Sequence, residues 1–104
     1  MSNSDKILVE VDVELEDLIP NYLAKREADV KQFSEWIEQE EFDSIRELSH
    51  KIKGSGGGYG FIGLSKIAAE VEQAAKNSDL ETIKKGVIEI QHYLENIEIT
   101  YIEI

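Results

Sequence analysis

The sequence predicts an all-α protein, an antiparallel four-helix bundle with a short extended N-terminal segment. Three observations carry that reading. Apolar residues recur at three- and four-residue steps through most of the chain, which is the spacing of one helix face. The breaks between those runs are short, and short connections turn neighbouring helices back antiparallel. Proline occurs once, at Pro20, so few interruptions are written into the 104 residues. That length suits one domain with a modest core, residues 1–13 forming a flexible or extended lead and residues 14–104 the bundle.

Residues 1–6 are mostly polar and read as a frayed end. From Ile7 to Val13 the chain is β-branched, and from Val9 on it alternates apolar with acidic, the pattern of a short extended segment. Residues 97–104, Ile-Glu-Ile-Thr-Tyr-Ile-Glu-Ile, partly alternate as well, and the two segments could pair. Two lone strands are marginal unless a helix covers one face. Residues 14–18 begin a helical turn, and Pro20 sits where its missing donor costs little. Leu23, Val30, Phe33 and Ile37 then mark a helix over about 21–39, with Ile19 and Tyr22 at its entrance and Trp36 at the core edge.

Residues 40–43 turn the chain into a central helix over about 42–59, with Phe42, Ile45, Leu48, Ile52 and Tyr59 on one face. Leu64, Ile67, Val71, Ala74 and Ala75 give a third helix over about 63–76. Asn77-Ser78-Asp79 is a break, and Ser78 with Glu81 fits a capping box. Leu80, Ile83, Val87, Ile90, Leu94, Ile97 and Tyr101 then repeat over three heptads, the inner stripe of a last bundle helix.

Composition excludes several functions. There is no cysteine, hence no disulfide and no thiolate metal site. With two histidines and no calcium-loop spacing, no resident metal is expected. The formal net charge of -11 argues against nucleic acid and against an anionic membrane surface as partners. No apolar run approaches the roughly 20 residues of a membrane span. The polar start, Met-Ser-Asn-Ser-Asp-Lys, lacks a signal-peptide core, so a cytoplasmic protein is the expectation.

The chemistry concentrates between Leu48 and Phe61, fourteen residues that hold one histidine, two lysines and five glycines. On a helical wheel His50 points almost opposite the apolar stripe, and Arg46, Lys53 and Gly57 fall beside it on the wet side. Arg46, Lys51 and Lys53 are three of only eleven Lys and Arg residues in an acidic chain. An anion carried on the imidazole would want that arrangement. A plainer reading remains open: Gly54 ends the helix and His50 merely sits near its last turn, where a cation meets the carbonyl end of the dipole. The glycines of Gly58-Tyr59-Gly60-Phe61-Ile62-Gly63 match a dinucleotide-binding pattern only superficially, because a helix and not a strand precedes them.

His50-Lys51-Ile52-Lys53-Gly54-Ser55, followed by Gly60, resembles the signature of histidine-containing phosphotransfer (HPt) domains. The helical pattern is similar to that family from about residue 15 to about residue 97. The resemblance implies that His50 carries a phosphoryl group between receiver-domain aspartates in a multistep phosphorelay, with Lys53 stabilising the phosphate. From the residues themselves, Arg46, Lys51, Gly54 and Gly57 are expected to form the partner-docking face, although the signature does not include Arg46, and Gly60 is expected to permit close packing. The partners implied are receiver domains of response regulators or of a hybrid histidine kinase, and the receiver brings the magnesium and the aspartate. The chain itself then needs no cofactor and acts as a phosphoryl carrier, not a stand-alone kinase. It is expected to be a monomer, and whether the terminal segments pair or mediate a dimer is left open by the sequence. The sequence departs from the family at Gly56-Gly57-Gly58, where side chains are more usual; the helix is nevertheless expected to run through to Tyr59. The rival is a helical interaction module that binds an acidic partner through Arg46, His50 and Lys53 without transferring anything.

Overall fold

The computed structural model describes residues 6–104. The frayed end expected for residues 1–6 falls outside them except for Lys6, which is exposed and 3.5 Å from Glu98. Strand β1 (Ile7–Asp12) leads through a 3-10 turn (Val13–Leu18) into four helices: α1 (Ile19–Gln39), α2 (Phe42–Tyr59), α3 (Ile62–Lys76) and α4 (Leu80–Asn96). Strand β2 (Ile97–Ile102) closes the order.

Each helix buries the stripe its sequence advertises. Phe33 of α1, Ile45 and Ile52 of α2, Leu64 and Val71 of α3, and Ile83 and Ile90 of α4 meet in one core. Phe61, between α2 and α3, is fully buried there and stacks on Tyr22. Burying each such side chain is worth about 1.5–3 kcal/mol, which secures the bundle without help from disulfides. Gly86 lets α4 lie directly against Val71 of α3, so closely that a Cβ there would collide with it.

Helix α2 runs unbroken through Gly54, Gly56, Gly57 and Gly58. The cost of those glycines, about 1 kcal/mol each, is met by packing: Ile52 and Gly56 are buried against α3, the helix α2 touches most closely. The helix stops at Gly60, whose φ of 99° suits a residue without a Cβ. The Phe61 amide then bonds back to the Gly56 carbonyl.

Two terminal details differ from expectation. The cap of α4 is Asp79, not Ser78: its carboxylate accepts from the Thr82 amide and hydroxyl, while Ser78 takes a left-handed conformation in the preceding turn. The periodicity that continues through Ile97 and Tyr101 is not helical there, because the chain becomes extended at Ile97. Odd-numbered apolar residues satisfy both a helical and an alternating pattern over so short a stretch. The two terminal strands do pair, and they pair parallel, Ile7 opposite Ile97 through Asp12 opposite Ile102. Val9 and Val11 face the core, which supplies the cover that two strands require.

Candidate functional site

His50 stands on the outer face of α2, with 64 % of its side chain exposed. Its position follows from the helix: Ser49 and Ile52 turn inward and are buried, so His50 must turn out. The imidazole is nevertheless tethered. Its Nδ1 lies 3.0 Å from Oε2 of Glu72 on α3. The other carboxylate oxygen, Oε1, is 3.0 Å from Nζ of Lys53, and Lys76 Nζ comes within 3.9 Å of Oε2. One carboxylate therefore gathers the histidine and two ammonium groups.

Glu72 is buried, only 6 % exposed, and that is the unusual feature of the site. A lone buried carboxylate would take up a proton. Here the Lys53 hydrogen bond, aided by the one from His50, outweighs the burial and holds Glu72 below the ordinary carboxylate value of 4.5. An ionised carboxylate can only accept hydrogen bonds. Nδ1 of His50 must therefore carry the proton and donate it, which leaves the lone pair of a neutral ring on Nε2. The arrangement distinguishes the two ring nitrogens on a side chain that is itself mostly exposed.

The rest of the predicted strip assembles around this point. Lys51 and Gly54 are exposed, as is Gly57, and Arg46 is half-exposed one turn before His50. A Cβ at Gly54 or Gly58 would meet nothing within 4 Å, and at Gly57 only Ser65 Oγ at 3.8 Å. The surface beyond the imidazole is thus bare helix backbone. Lys53 belongs to the strip but leans toward α3 to reach Glu72. Two residues of the motif lie elsewhere. Ser55 turns to α1, 2.8 Å from the Tyr22 hydroxyl, and Gly60 packs against the Glu10 carbonyl of β1.

Glu72, Lys76 and Ser65 did not emerge from the sequence. Ser65 clamps α3 to α2 by donating to the Lys53 carbonyl at 2.7 Å. A signal for Glu72 did exist: it lies four residues after Ala68 and three before Ala75, a charged residue at a position whose spacing demands burial.

Among the described residues no group of three or more His, Cys, Asp or Glu side chains converges as a metal site would require. No helix among them is long and apolar enough to cross a membrane. A family model described as Hpt domain matches residues 14–99, which includes α2, α3 and the whole of the site. No curated protein and no solved structure matches the chain.

Proposed function

Because the chain belongs to the Hpt domain family, as its match over residues 14–99 shows, we propose that it is a phosphoryl carrier of a multistep phosphorelay in which Nε2 of His50 is the acceptor. The observation that carries this reading is the Nδ1-to-Glu72 hydrogen bond, which leaves Nε2 unprotonated and open. The donor is the acyl phosphate of a receiver-domain aspartate. The Nε2 lone pair attacks phosphorus in line, the N–P bond forms, and the P–O bond to the aspartyl carboxylate breaks with its electrons leaving on oxygen. The positive charge gained by the ring is balanced by Glu72 across Nδ1–H. Attack by the next aspartate reverses these bonds and returns the ring to its neutral form.

Lys53 neutralises the phosphoryl oxygens. Glu72 engages one of its three N–H donors, and the side chain is 40 % exposed, so the others can turn outward. Arg46 and Lys51 draw the acidic receiver surface, and the backbone at Gly54, Gly57 and Gly58 lets a partner helix approach closely. The magnesium and the aspartate belong to the partner. The chain is therefore a carrier and not a kinase by itself.

The test is transfer from a phosphorylated receiver domain, with the bound phosphoryl group read on a phosphate-affinity gel. His50→Gln should abolish acceptance while leaving the circular dichroism unchanged. A His50→Gln protein that still became labelled would refute the assignment.

A further inference from the structure

We propose that Lys76 is a positioning residue for the phosphorylated state, a role that rests on His50 being the acceptor. As Lys53 turns toward the phosphoryl group, Lys76 closes on Glu72 in its place and keeps the carboxylate charged behind the ring.

The two oxygens of Glu72 are served unequally. Oε1 has Lys53 Nζ at 3.0 Å, and Oε2 has Nδ1 of His50 at 3.0 Å. Lys76 Nζ stands 3.9 Å from Oε2, too far for a hydrogen bond. The groups that hold Glu72 below its ordinary value are Lys53 first and then His50. Before phosphorylation, then, Lys76 is close to the carboxylate but is not what holds it.

Phosphorylation changes the balance. As the N–P bond forms, the ring gains one positive charge, and the phosphoryl group brings a charge of about −1.5 to −2. Lys53 then faces two anions, and the newcomer carries the greater charge. Whatever share of Lys53 goes to the phosphoryl oxygens is withdrawn from Glu72. That carboxylate is buried, so water cannot make good the loss. A buried carboxylate without its cation is driven toward the neutral acid, and the imidazolium would lose the charge that balances it.

Lys76 is placed to prevent this. It lies four residues after Glu72, in the last turn of α3, so the two side chains share a face of one helix. Its side chain is half-exposed and free to swing. It must advance by about 1 Å to make a charge-assisted hydrogen bond to Oε2. His50 and Lys53 reach Glu72 from α2, whereas Lys76 approaches along α3 itself, so it can close without parting the helices. The plainer role for such a lysine is a surface pair that also favours the carbonyl end of its helix. That role would stabilise the chain slightly and equally with or without the phosphoryl group.

The equilibrium of the phosphoryl group between a receiver domain and this chain separates the two. It is read on a phosphate-affinity gel after transfer has run to completion. A residue that only docks the receiver changes rates and leaves this equilibrium alone, and so does one that only stabilises the fold. Lys76→Gln should shift the distribution about three- to tenfold toward the phosphorylated receiver, with little change in the urea midpoint. Lys76→Arg should restore most of it. In Glu72→Gln the amide needs no cation, so adding Lys76→Gln should shift the distribution by less than about twofold. An equal shift with and without the Glu72 carboxylate would overturn the proposal, because Lys76 would then act on the phosphoryl group itself. Label on His50 with an equilibrium untouched by Lys76→Gln would overturn it alone and leave His50 as the acceptor. An unaltered chain that takes no label would refute the carrier role, and this proposal with it.

Discussion

His50 and His92 are both exposed, both sit on helices, and both have Nδ1 in a hydrogen bond, yet the two bonds run in opposite directions. His50 faces a buried, ionised carboxylate twenty-two residues away, so its Nδ1 donates. His92 faces the Asn96 amide nitrogen one turn on, at 3.2 Å, and that nitrogen also donates to the His92 carbonyl at 2.8 Å. Nδ1 of His92 is therefore an acceptor, and the proton of its neutral ring lies on Nε2. One ring shows solvent a lone pair and the other shows it an N–H. Exposure does not distinguish the two rings; the group behind each does, and in the proposed function the Glu72 carboxylate across the α2–α3 interface is what fits His50, and not His92, to accept a phosphoryl group.

The largest way to break that contrast, short of removing His50 itself, is Glu72→Gln. The amide can still accept from Nδ1–H but holds neither the charge of the ring nor that of Lys53. Losing a charge-assisted hydrogen bond of about 1.5–3 kcal/mol should slow phosphoryl acceptance between about tenfold and a hundredfold, measured as single-turnover transfer from a receiver. The same variant should leave the histidine face assembled, because the amide fills the carboxylate's volume.

A second change separates docking from chemistry. Gly54 is exposed, mid-helix, and open to a Cβ. Gly54→Ala should raise stability by about 0.5–1 kcal/mol in urea unfolding. Gly54→Leu should keep the helix but weaken transfer through the affinity for the receiver and not through the saturated rate. A leucine there without effect on affinity would take Gly54 out of the docking face.

The fold was legible because packing follows periodicity, and four amphipathic runs leave one economical arrangement. Even the glycine-rich half of α2 obeyed its apolar stripe and not its propensity. The tail was misleading at Ile97 and Tyr101, where spacing fits two periods at once and only the presence of β1 alongside decides. At the site, the residues carried by one helix could be read on a wheel: His50 with Arg46, Lys53 and Gly57. The partner across the helix interface could not, because nothing in a linear spacing tells that Glu72 of α3 meets His50 of α2. A charged residue at a buried position of α3 was the one available hint.

Acid should dissolve the same contrast more gently. Glu72 is held below its ordinary value of 4.5, chiefly by Lys53. The unfolded chain therefore takes up that proton at higher pH than the folded one does. The stability Glu72 contributes is complete above about pH 4.5 and is lost as pH falls through the lower folded value. Denaturant midpoints followed downward from pH 6 should drop more steeply for the unaltered chain than for Glu72→Gln, with pH 6 as the common reference. The smallest effect belongs to His92. Asn96→Ala removes its hydrogen-bond partner on an exposed helix end, and transfer should not change measurably; a substantial loss would mean that the second histidine takes part.

The nitrogen that bears phosphorus tests the account most directly. With the chain labelled in its imidazole nitrogens and phosphorylated by a receiver, nitrogen–phosphorus coupling in NMR identifies the bonded atom. The proposed reaction predicts a single phosphohistidine, at His50, coupled through Nε2, with Nδ1 still protonated toward Glu72. Coupling through Nδ1, or a phosphoryl group on His92, would contradict it.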